Sequence, residues 1–434
     1  MTPGPYLFPA IALWVVLAVL ATVLPSFHLI WMVAALVMWI LALTELSTVR
    51  SLPIPTVTRR IPHSLPLGVS GDVTVRLVSD VGHPIRVDVF DHYPTPHVIS
   101  GLPRCLDVPA HGFSEFQYQL RPVARGEYQF AQVELRVHSP MRLWLRKVIV
   151  DVPDLIRVYP NFATVAKYAL MATDNRLSQM GIKKRRRRGE GLEFHQLREY
   201  RPGDSFRQVD WKATSRHRKL ISREYQDSRD QQIVFLIDCG RRMSARDHEL
   251  SHFDHSLNSV LLLGYVALRQ GDAVGLMTFG GPRRFIPPRK GAGVVNTILN
   301  GVYDLQPSLE SPDYASAATD LHKRLRKRSL VILVTNLRDE DADEVMPALA
   351  LLRTRHLVLL ASLREGALGS VLGASVNNFD DALLLSATQR YLLARRRVHD
   401  NISESGALSL DVEPEELPIA MVNRYLDIKL SGRL

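Results

Sequence analysis

The distribution of apolar and charged residues divides the chain near residue 45. Residues 7–24 and 27–43 contain no charged side chain, whereas charged residues are frequent after Glu45. An 18-residue helix is about 27 Å long, so each apolar run can cross a bilayer. Pro25 and Ser26 between the runs leave room only for a turn. The pattern therefore predicts a two-helix transmembrane hairpin within residues 1–48.

A secretory signal peptide or a hairpin buried in a soluble core would also be apolar. A signal peptide begins with basic residues, and the segment Met1–Tyr6 has none. The transmembrane hairpin is therefore favoured. Arg50, Arg59 and Arg60 follow the second run, while the turn has no Lys or Arg. The positive-inside rule then predicts a two-pass protein of the cytoplasmic (inner) membrane, with both termini and the soluble body in the cytoplasm.

Residues 51–160 show short runs in which apolar and polar residues alternate. Two examples are Asp72–Val78 and Val133–Val137, and turn-forming residues recur about every ten positions. A period of two is typical of strands with one buried face. This region is expected to be an antiparallel, Ig-like β-sandwich or barrel.

Residues 231–434 show continuous apolar runs separated by helical stretches. Such runs indicate strands that are buried on both faces, which predicts an α/β domain with a parallel sheet covered by helices. A last strand is expected near Leu408–Val412 and a last helix near residues 414–430. The other predicted strands are Ile233–Ile237, Ala273–Thr278, Leu330–Val334 and Leu357–Leu360.

Cysteine content indicates the redox compartment of the protein, and the charge pattern shows where its positive charge lies. Cys105 and Cys239 are the two cysteines among 434 residues, so a disulfide framework is not expected and a reducing compartment is. The formal net charge is +10, and residues 181–230 hold 15 basic against 8 acidic side chains. Most of the positive surplus therefore lies in one stretch.

A polar, helical stretch over Asn161–Met180 leads into the basic run Lys183–Arg188, and residues 161–188 are read as a linker. The run can be a solvated loop, a site for anionic lipid, or a nucleic-acid contact. Nucleic acid is unlikely here because the run has neither interleaved aromatic residues nor a recognisable reader fold. Anionic lipid needs no further assumption in a membrane-anchored chain.

The densest motif is the segment Gly189–Arg216, which opens a signature segment over residues 189–230. Arg201–Asp204 (Arg-Pro-Gly-Asp) is predicted to form a turn. Ser205 and Gln208 have capping-box spacing, which predicts a short helix from Ser205 to about Ala213. Phe206, Val209 and Ala213 would share one face of that helix.

This segment resembles the signature of the DUF58 family. The matching residues are Gly191, Glu193, Phe194, Leu197, Arg198, Tyr200, Gly203, Asp204, Arg207, Asp210, Trp211, Ala213 and Arg216. The resemblance implies paired membrane spans, a β-rich region and a C-terminal von Willebrand factor A-like domain over residues 231–434. It implies no known reaction. It suggests a membrane-tethered partner of a MoxR-type AAA+ ATPase that acts in protein complex maturation or stress response.

The charged and aromatic residues of the segment can serve as a docking motif for that partner. Equally, their charges can form intramolecular ion pairs that brace the segment, because spacing does not separate the two roles. The candidate docking residues are Glu193, Arg198, Tyr200, Gly203, Asp204, Arg207, Asp210, Trp211 and Arg216.

An A domain usually holds a divalent cation through an Asp-x-Ser-x-Ser loop, a Thr and a later Asp. The corresponding loop here begins with Asp238, replaces both serines by Gly240 and Arg242, and also contains Arg241. Thr335 is followed by Asn336 instead of Asp. We therefore expect a degenerate metal site formed by Asp238, Gly240, Arg242, Thr335 and Asn336, with an arginine filling it and no metal bound.

His248-Glu249-Leu250-Ser251-His252 spells the H-E-x-x-H string of zinc peptidases, with His255 as a further possible ligand. On one continuous helix the three histidines would lie opposite the apolar face. They are therefore expected to line a solvated face, without the partly dry cleft that a catalytic zinc needs.

Three hypotheses for function follow. The first, a non-enzymatic membrane scaffold or adaptor without a cofactor, is preferred. The second is a membrane-anchored hydrolase, either through His248, Glu249 and His252 or through Glu193, His195 and Asp204. The third is a nucleic-acid-binding protein that uses the basic segment.

Overall fold

The computed structural model describes residues 1–161, 193–201, 206, 209–226 and 231–433. The chain divides into two compact units, Met1–Tyr159 and Pro160–Leu434. The predicted helix Asn161–Met180, the basic run Lys183–Arg188 and most of the predicted turn Arg201–Asp204 lie outside the described residues.

The first unit begins with two apolar helices, α1 (Leu7–Val23) and α2 (His28–Ser51), joined by a short 3₁₀ turn. Helix α2 is long and apolar enough to cross a membrane, and α1 is a shorter apolar helix. The two helices touch, and the rings of Trp14 and Trp31 stack with their centroids 5.6 Å apart. The length and apolar composition of α2 indicate that the chain associates with a membrane.

Two β-sheets complete the first unit. One has the order β1-β10-β9-β5-β7, with β3 pairing with β10 in parallel, and the other has the order β2-β4-β8-β6; the remaining pairs are antiparallel. The strands are β1 (Thr2–Pro3), β2 (Thr56–Arg60), β3 (Ser64–Pro66), β4 (Gly71–Ser79), β5 (Ile85–Asp91), β6 (His97–Ser100), β7 (Arg104–Val108), β8 (Gly112–Pro122), β9 (Gly126–His138) and β10 (Trp144–Tyr159).

The alternating sequence pattern explains how these sheets pack. Val73, Val75 and Leu77 of β4 are buried at every second position and share one core with Val87 and Val89 of β5. Successive side chains of a strand point to opposite faces, so the intervening polar residues face outward. The two sheets therefore form a sandwich over a single apolar core.

One ion pair lies inside this sandwich. The Arg59 guanidinium donates to both carboxylate oxygens of Asp91, at 2.5 and 2.8 Å, and both side chains are fully buried. Tyr118 Oη donates to Asp91 Oδ2 at 2.6 Å, and burial raises the pKa of this hydroxyl. Arg59 also donates to Asp154, at 3.2 Å. Both charged groups of the pair thus have further hydrogen-bond partners, which a buried ion pair needs to offset its desolvation.

Helix α2 is joined directly to the turn between β9 and β10. The Glu45 carboxylate is buried and accepts hydrogen bonds from Ser139 Oγ and Met141 N, both at 2.5 Å. Trp144 Nε1 donates to Ala42 O at 2.9 Å. Arg146 donates to three backbone carbonyls at the end of α2, where the helix dipole favours a cation. These contacts define a helix–sandwich joint.

The second unit is an α/β fold preceded by a β-hairpin and a short helix. Its strands are β11 (Glu193–Glu199), β12 (Ile221–Gln226), β13 (Gln232–Asp238), β14 (Arg246–Asp247), β15 (Leu250–Ser251), β16 (Ala273–Phe279), β17 (Phe285–Arg289), β18 (Leu330–Thr335), β19 (Leu357–Leu363) and β20 (Leu408–Val412). Its helices are α3 (Trp211–His217), α4 (His252–Arg269), α5 (Gly293–Val302), α6 (Tyr314–Arg324), α7 (Ala342–Arg353), α8 (Gly366–Gly373), α9 (Phe379–Glu404) and α10 (Leu417–Leu430).

The central sheet has the order β17-β16-β13-β18-β19-β20. Strands β16, β13, β18, β19 and β20 run parallel, whereas β17 is antiparallel to β16. The expectation of a parallel sheet was therefore incomplete, because an antiparallel edge strand follows β16 through a tight turn. Every residue of β16 and of β18 is buried, which is why their sequences are continuously apolar.

The short helix predicted from Ser205 to Ala213 was wrong in its position. Helix α3 begins at Trp211, and Asp210 is its N-cap, accepting from the backbone amides of Lys212 and Ala213 at 3.0 Å. Phe206 is 69% exposed, whereas Val209 and Ala213 are buried. The three residues do not share one buried face, because the helix cap is Asp210, five residues after the cap at Ser205 that the capping-box spacing indicated.

Candidate functional site

The predicted metal-loop residues lie at one edge of the central sheet. Strand β13 ends at Asp238 and β18 ends at Thr335, directly before Asn336. Neighbouring parallel strands place their carboxyl ends at the same edge, which is where α/β folds bind ligands. The sheet therefore brings Asp238, Thr335 and Asn336 together, and all three are fully buried.

Both carboxylate oxygens of Asp238 already have protein donors. Thr335 Oγ1 donates to Oδ2 at 2.7 Å, and the backbone amide of Gly240 donates to Oδ1 at 2.7 Å. Tyr314 Oη lies 3.0 Å from Thr335 Oγ1. These donors are neutral, and burial raises the pKa of Asp238 to about 6. Desolvation disfavours the charged carboxylate, and two neutral hydrogen bonds do not offset it fully.

Backbone fills the space in which the serine of an Asp-x-Ser-x-Ser loop would stand. A Cβ at Gly240 would lie 2.9 Å from Glu310 O and 3.0 Å from Asp238 Oδ1. Gly280 has a φ of +71°, and a Cβ there would lie 2.8 Å from the same carboxylate oxygen. The segment carrying Glu310 is held over the loop, because Arg241 N donates to Glu310 O at 2.9 Å. Glycine is thus required at position 240 by close packing.

The arginine expected to fill the site points to other acids. Arg242 forms ion pairs with Asp341 and Glu340, and Asp238 is not among its hydrogen-bond partners in the described part of the chain. Its charge still lowers the pKa of Asp238, although burial dominates. The expectation of an arginine in the site was therefore wrong in its geometry, because two nearby acidic residues before α7 bind the guanidinium.

A chain of polar groups that the sequence did not reveal extends from Asn336. Asn336 Nδ2 lies 2.9 Å from Glu365 Oε1 and 3.3 Å from His252 Nδ1, and His252 Nε2 lies 2.7 Å from Asp247 Oδ2. Asn336 Oδ1 and Glu365 Oε2 are buried, and the described residues offer them no partner. This network of Asp247, His252, Asn336 and Glu365 spans 118 positions, from 247 to 365, so local sequence patterns could not indicate it.

A buried arginine closes the same edge of the sheet. Arg395 of α9 is 1% exposed and binds Asp411 at 2.8 Å, Ser362 Oγ at 2.6 Å and Leu363 O at 2.8 Å, and it also donates to Leu337 O. The charge of Asp411 favours the guanidinium ion and raises the pKa of Arg395, against the opposing effect of burial. Arg395 thereby ties the ends of β18, β19 and β20 together.

The H-E-x-x-H string does not lie on one helix. His248 has a left-handed φ of +55° and precedes β15, while α4 begins at His252 after the cap Ser251. His248 is exposed, whereas His252 is fully buried and His255 is 8% exposed with its pKa lowered by burial. The expectation that all three line a solvated face was therefore wrong, because the helical spacing begins only at His252.

A hairpin carries the predicted docking residues. Glu193 and Arg198 lie on β11, Tyr200 follows that strand, and Asp210, Trp211 and Arg216 cap or form α3; Gly203, Asp204 and Arg207 lie outside the described residues. Asp210 binds Arg223 of β12 at 2.9 Å. The amide of Ala213 and the Arg223 guanidinium hold the pKa of the Asp210 carboxyl below its usual range. Asp210 therefore stabilises the hairpin, because it caps α3 and forms an ion pair with β12.

Aromatic side chains near α3 remain accessible. Trp211 is 66% exposed and Phe206 is 69% exposed, and the Tyr200 ring lies 5.6 Å from that of Phe206. Arg216 is also exposed, on α3. Exposed aromatic rings with a neighbouring arginine have the composition of protein interfaces. The signature segment thus contains candidate docking residues of two kinds. Asp210 has a structural role, whereas Trp211 and Arg216 are exposed.

Among the residues that the structure describes, no three His, Cys, Asp or Glu side chains are grouped so that they could hold a metal ion. A cavity of about 540 Å³ lies against the sandwich strands and is lined by His92, Cys105 and Glu134 among others. This cavity belongs to the first unit, whereas the polar edge of the central sheet belongs to the second.

The second unit is thus an α/β domain that has a cluster of buried polar groups at the carboxyl edge of its sheet, preceded by a hairpin with exposed aromatic residues. Residues 196–402 match the family described as "Protein of unknown function DUF58". This match to the family model confirms the resemblance carried by the signature residues.

A curated relative is the uncharacterized protein YeaD of Bacillus subtilis (strain 168). It is 23% identical over 232 residues, which are 52% of this chain and 54% of the relative. The chain therefore spans about half the length of that relative.

Two solved structures are similar to parts of the chain. An aerotolerance-related membrane protein of Bacteroides fragilis NCTC 9343 is 11% identical and covers 46% of this chain and 99% of its own, with a TM-score of 0.30. WR4, a C. elegans MSP family member, is 11% identical and covers 24% of this chain and 97% of its own, with a TM-score of 0.17.

Proposed function

We propose that the protein is a membrane-tethered, non-enzymatic adaptor that presents a von Willebrand factor A-like domain with a degenerate metal site to a protein partner. The partner class we propose is a MoxR-type AAA+ ATPase, with a role in protein complex maturation or stress response. The match to the DUF58 family model and the apolar helix α2 fit a membrane-associated role.

The observation that carries the proposal is the closed edge at Asp238. A hard cation needs free carboxylate and hydroxyl oxygens around one point. Here both Asp238 oxygens accept protein hydrogen bonds, and Glu310 O would lie only 2.9 Å from the Cβ of a serine at position 240. A domain of this kind would bind its partner constitutively, without a metal acting as a switch.

Contacts within the first unit support a two-pass arrangement. Strand β1, before α1, pairs with β10, and Gly4 N donates to Leu143 O at 2.7 Å. Glu45, near the end of α2, is bound by the same β9–β10 turn. The start of α1 and the end of α2 are therefore held at one place on the sandwich. A hairpin that crosses the bilayer twice satisfies this constraint, and the positive-inside rule assigns the sandwich to the cytoplasm.

Metal titration of the purified full-length chain tests the degenerate site. We expect no Mg²⁺ or Mn²⁺ binding at micromolar concentrations in calorimetry, because both carboxylate oxygens of Asp238 already accept protein hydrogen bonds. Micromolar binding that is abolished in Asp238→Ala, but retained in the control Asp72→Ala on the sandwich, would contradict the proposal.

Crosslinking pull-down from native membranes tests the partner. We expect an AAA+ ATPase to be captured by the unchanged chain and reduced at least fivefold by Trp211→Ala. Trp39→Ala is the matched control, since Trp39 is 65% exposed and lies on α2, outside the signature segment. Full retention of the ATPase by Trp211→Ala combined with Arg216→Ala would count against this docking surface. The absence of any AAA+ ATPase would contradict the partner class.

Cysteine labelling tests the topology. In a background with Cys105→Ser, a cysteine at Thr2 and one at Leu309 should both react with a membrane-impermeant reagent only after the inner membrane is opened. Reaction of either cysteine in intact spheroplasts would overturn the proposed orientation.

A further inference from the structure

A cavity lies at the end of the sandwich that is joined to the membrane helices. Its volume is about 370 Å³, and its lining comes from the start of β5, from β7 and from the β9–β10 turn. Ser139 of that turn also belongs to the helix–sandwich joint, because its Oγ donates to Glu45 of α2. The polar residues of the lining are His83, Arg86, Asp107, His138, Ser139 and Arg142.

The β9–β10 turn reaches the apolar part of α2. Trp144 Nε1 donates to Ala42 O, and Ala42 belongs to the uncharged run 27–43. Met141 in the turn and Tyr6, directly before α1, are both exposed. Tyrosine and tryptophan are enriched where a bilayer meets water. When α2 is inserted, the turn therefore lies at the bilayer surface, and the cavity beside it lies at the level of the lipid headgroups.

The positive charge of the lining is not fully neutralised within the protein. Arg86 donates to both carboxylate oxygens of Asp107 at 2.6 Å, so these two charges offset each other. Arg142 forms no ion pair with the described residues, and its guanidinium lies over the ring of Tyr6, 5.6 Å from the centroid. The surplus positive charge of the cavity therefore lies on Arg142, next to the membrane helices.

His138 adds a buried polar atom that lacks a partner. Its side chain is 10% exposed, and Nε2 lies 2.8 Å from Asp88 Oδ2. Its Nδ1 is buried, and the part of the chain that the structure describes offers this atom no hydrogen bond. Such atoms are rare in proteins and need a reason. Both nitrogens of an imidazolium ring donate, so Nδ1 can donate to an oxygen of an anion in the cavity.

We propose that this cavity binds the phosphate group of an anionic phospholipid from the bilayer in which α2 lies. The Arg142 guanidinium is the principal donor, and His138 is the second. A guanidinium binds phosphate oxygens in a bidentate manner, which a single point charge does not.

Charge and position together assign an anionic lipid as the occupant. Basic residues near a bilayer surface attract anionic lipids. The headgroup of a zwitterionic lipid carries its own cation, which Arg142 would repel. Free phosphate has the same chemistry, but a lipid is held at the membrane surface and so has a high effective concentration beside the cavity. The inference rests on membrane insertion of α2 and does not depend on the adaptor role or on the ATPase partner.

Native mass spectrometry of the full-length chain tests the site. The chain is purified in mild detergent that contains equal amounts of phosphatidylglycerol and phosphatidylcholine, and the lipids retained per chain are counted. We expect one phosphatidylglycerol to be retained, at least fivefold more often than phosphatidylcholine. Arg142→Gln should lower this retention at least fivefold. Arg157→Gln is the matched control and should retain the lipid, because Arg157 pairs with Glu127 near the opposite end of β10.

Three results would overturn the proposal. Unchanged phosphatidylglycerol retention by Arg142→Gln, in protein with an unchanged thermal transition, would exclude the assigned donor. Equal retention of the two lipids by the unchanged chain would exclude an anionic headgroup as the preferred ligand. Complete displacement of the lipid by inorganic phosphate, at about tenfold molar excess, would assign the cavity to the free ion, because a lipid held in the micelle resists such competition.

A second variant gives a readout of opposite sign. Asp107→Asn removes the acid of the lining and leaves the Arg86 guanidinium without its carboxylate partner. Phosphatidylglycerol retention should therefore rise severalfold, which a loss of folding would not produce. Unchanged or lower retention by Asp107→Asn, in protein that folds normally, would contradict the placement of the phosphate in this cavity.

Discussion

The sandwich and the α/β domain each bury an aspartate completely, but they treat its charge differently. Asp91 in the sandwich is bound by the guanidinium of Arg59 and by Tyr118 Oη. Asp238 at the sheet edge is bound by a threonine hydroxyl and a backbone amide, both neutral. A cation compensates the first carboxylate, whereas burial raises the pKa of the second, Asp238, to about 6.

The difference extends to the polar atoms that surround the two aspartates. Buried polar atoms without partners are rare in proteins, and those that occur need a reason. Asn336 Oδ1 and Glu365 Oε2, close to the Asp238 edge, are such atoms within the described residues. The buried charge of the sandwich is fully compensated, whereas the carboxyl edge of the α/β sheet keeps incompletely satisfied groups, as binding and catalytic sites do.

The largest expected effect comes from breaking the compensated pair. Asp91→Ala leaves the Arg59 charge buried with only the partly exposed Asp154 beside it, so the sandwich should lose about 3–5 kcal/mol of stability. Hydrogen exchange of the β4 and β5 amides measures this loss. Asp107→Ala, which breaks the exposed pair with Arg86, is the control and should change exchange little. Equal effects of the two substitutions would refute the contrast between buried and exposed pairs.

The second-largest expected effect on stability comes from Asp238, whose hydrogen-bond donors are neutral. This effect depends on pH. Because the folded pKa of Asp238 lies above the unfolded value of 3.8, ionisation costs the folded state stability as pH rises from about 4 to about 6. Between those limits the α/β domain should lose about 3 kcal/mol relative to Asp238→Asn, which does not ionise. Amide exchange of β13 and β18 across this pH range checks it. If the stabilities of the unchanged protein and of Asp238→Asn varied with pH in the same way, the prediction that ionised Asp238 destabilises the fold would be wrong.

The helix–sandwich joint should show an intermediate effect. Glu45→Ala removes the acceptor of Ser139 Oγ and Met141 N, and hydrogen bonds to a charged group contribute about 1.5–3 kcal/mol. Exchange of the amides in residues 139–144 should accelerate accordingly in the membrane-embedded chain. Thr44→Ala, one residue earlier on α2 and exposed, should leave these amides unchanged. Acceleration by both variants would point to a general loosening of α2 instead.

The smallest expected effect concerns the space around Asp238. Gly280→Ala places a Cβ 2.8 Å from Asp238 Oδ1 at a φ of +71°, whereas Gly271→Ala meets nothing within 4 Å at a φ of +87°. Both should cost about 1 kcal/mol for the left-handed backbone, and Gly280→Ala should cost about 1 kcal/mol more for the close contact. Thermal unfolding of the two variants measures the difference. Equal unfolding temperatures of the two variants would mean that the space around Asp238 can accept a Cβ at position 280.

The spacing of apolar residues predicted the helices and strands well wherever that spacing depends only on which side chains are buried. The apolar runs became α1 and α2, the alternating runs became the sandwich strands, and the continuous runs became β13, β16, β18 and β19. Each of these patterns reflects which faces of an element avoid water. Secondary-structure type was therefore readable without knowledge of tertiary contacts.

Positions that depend on tertiary contacts were not predictable in the same way. Ser205 and Asp210 are both good helix caps, and the hairpin contact with Arg223 accompanies the choice of Asp210. A solvated face for His252 requires a helix that begins at His248, whereas the β14–β15 turn makes the helix begin four residues later, at His252. Glu45 offered a signal that went unused: a lone acid at the end of an apolar helix needs a buried partner or water.

The helix–sandwich joint has a mechanical consequence. Three kinds of contact, from Glu45, Trp144 and Arg146, fasten the end of α2 to the sandwich without an intervening linker. A helix longer than the local hydrocarbon thickness tilts to keep its apolar length in lipid. Because the sandwich is fixed to α2, it must lean with the helix, so bilayer thickness would set the angle at which the sandwich is held above the membrane.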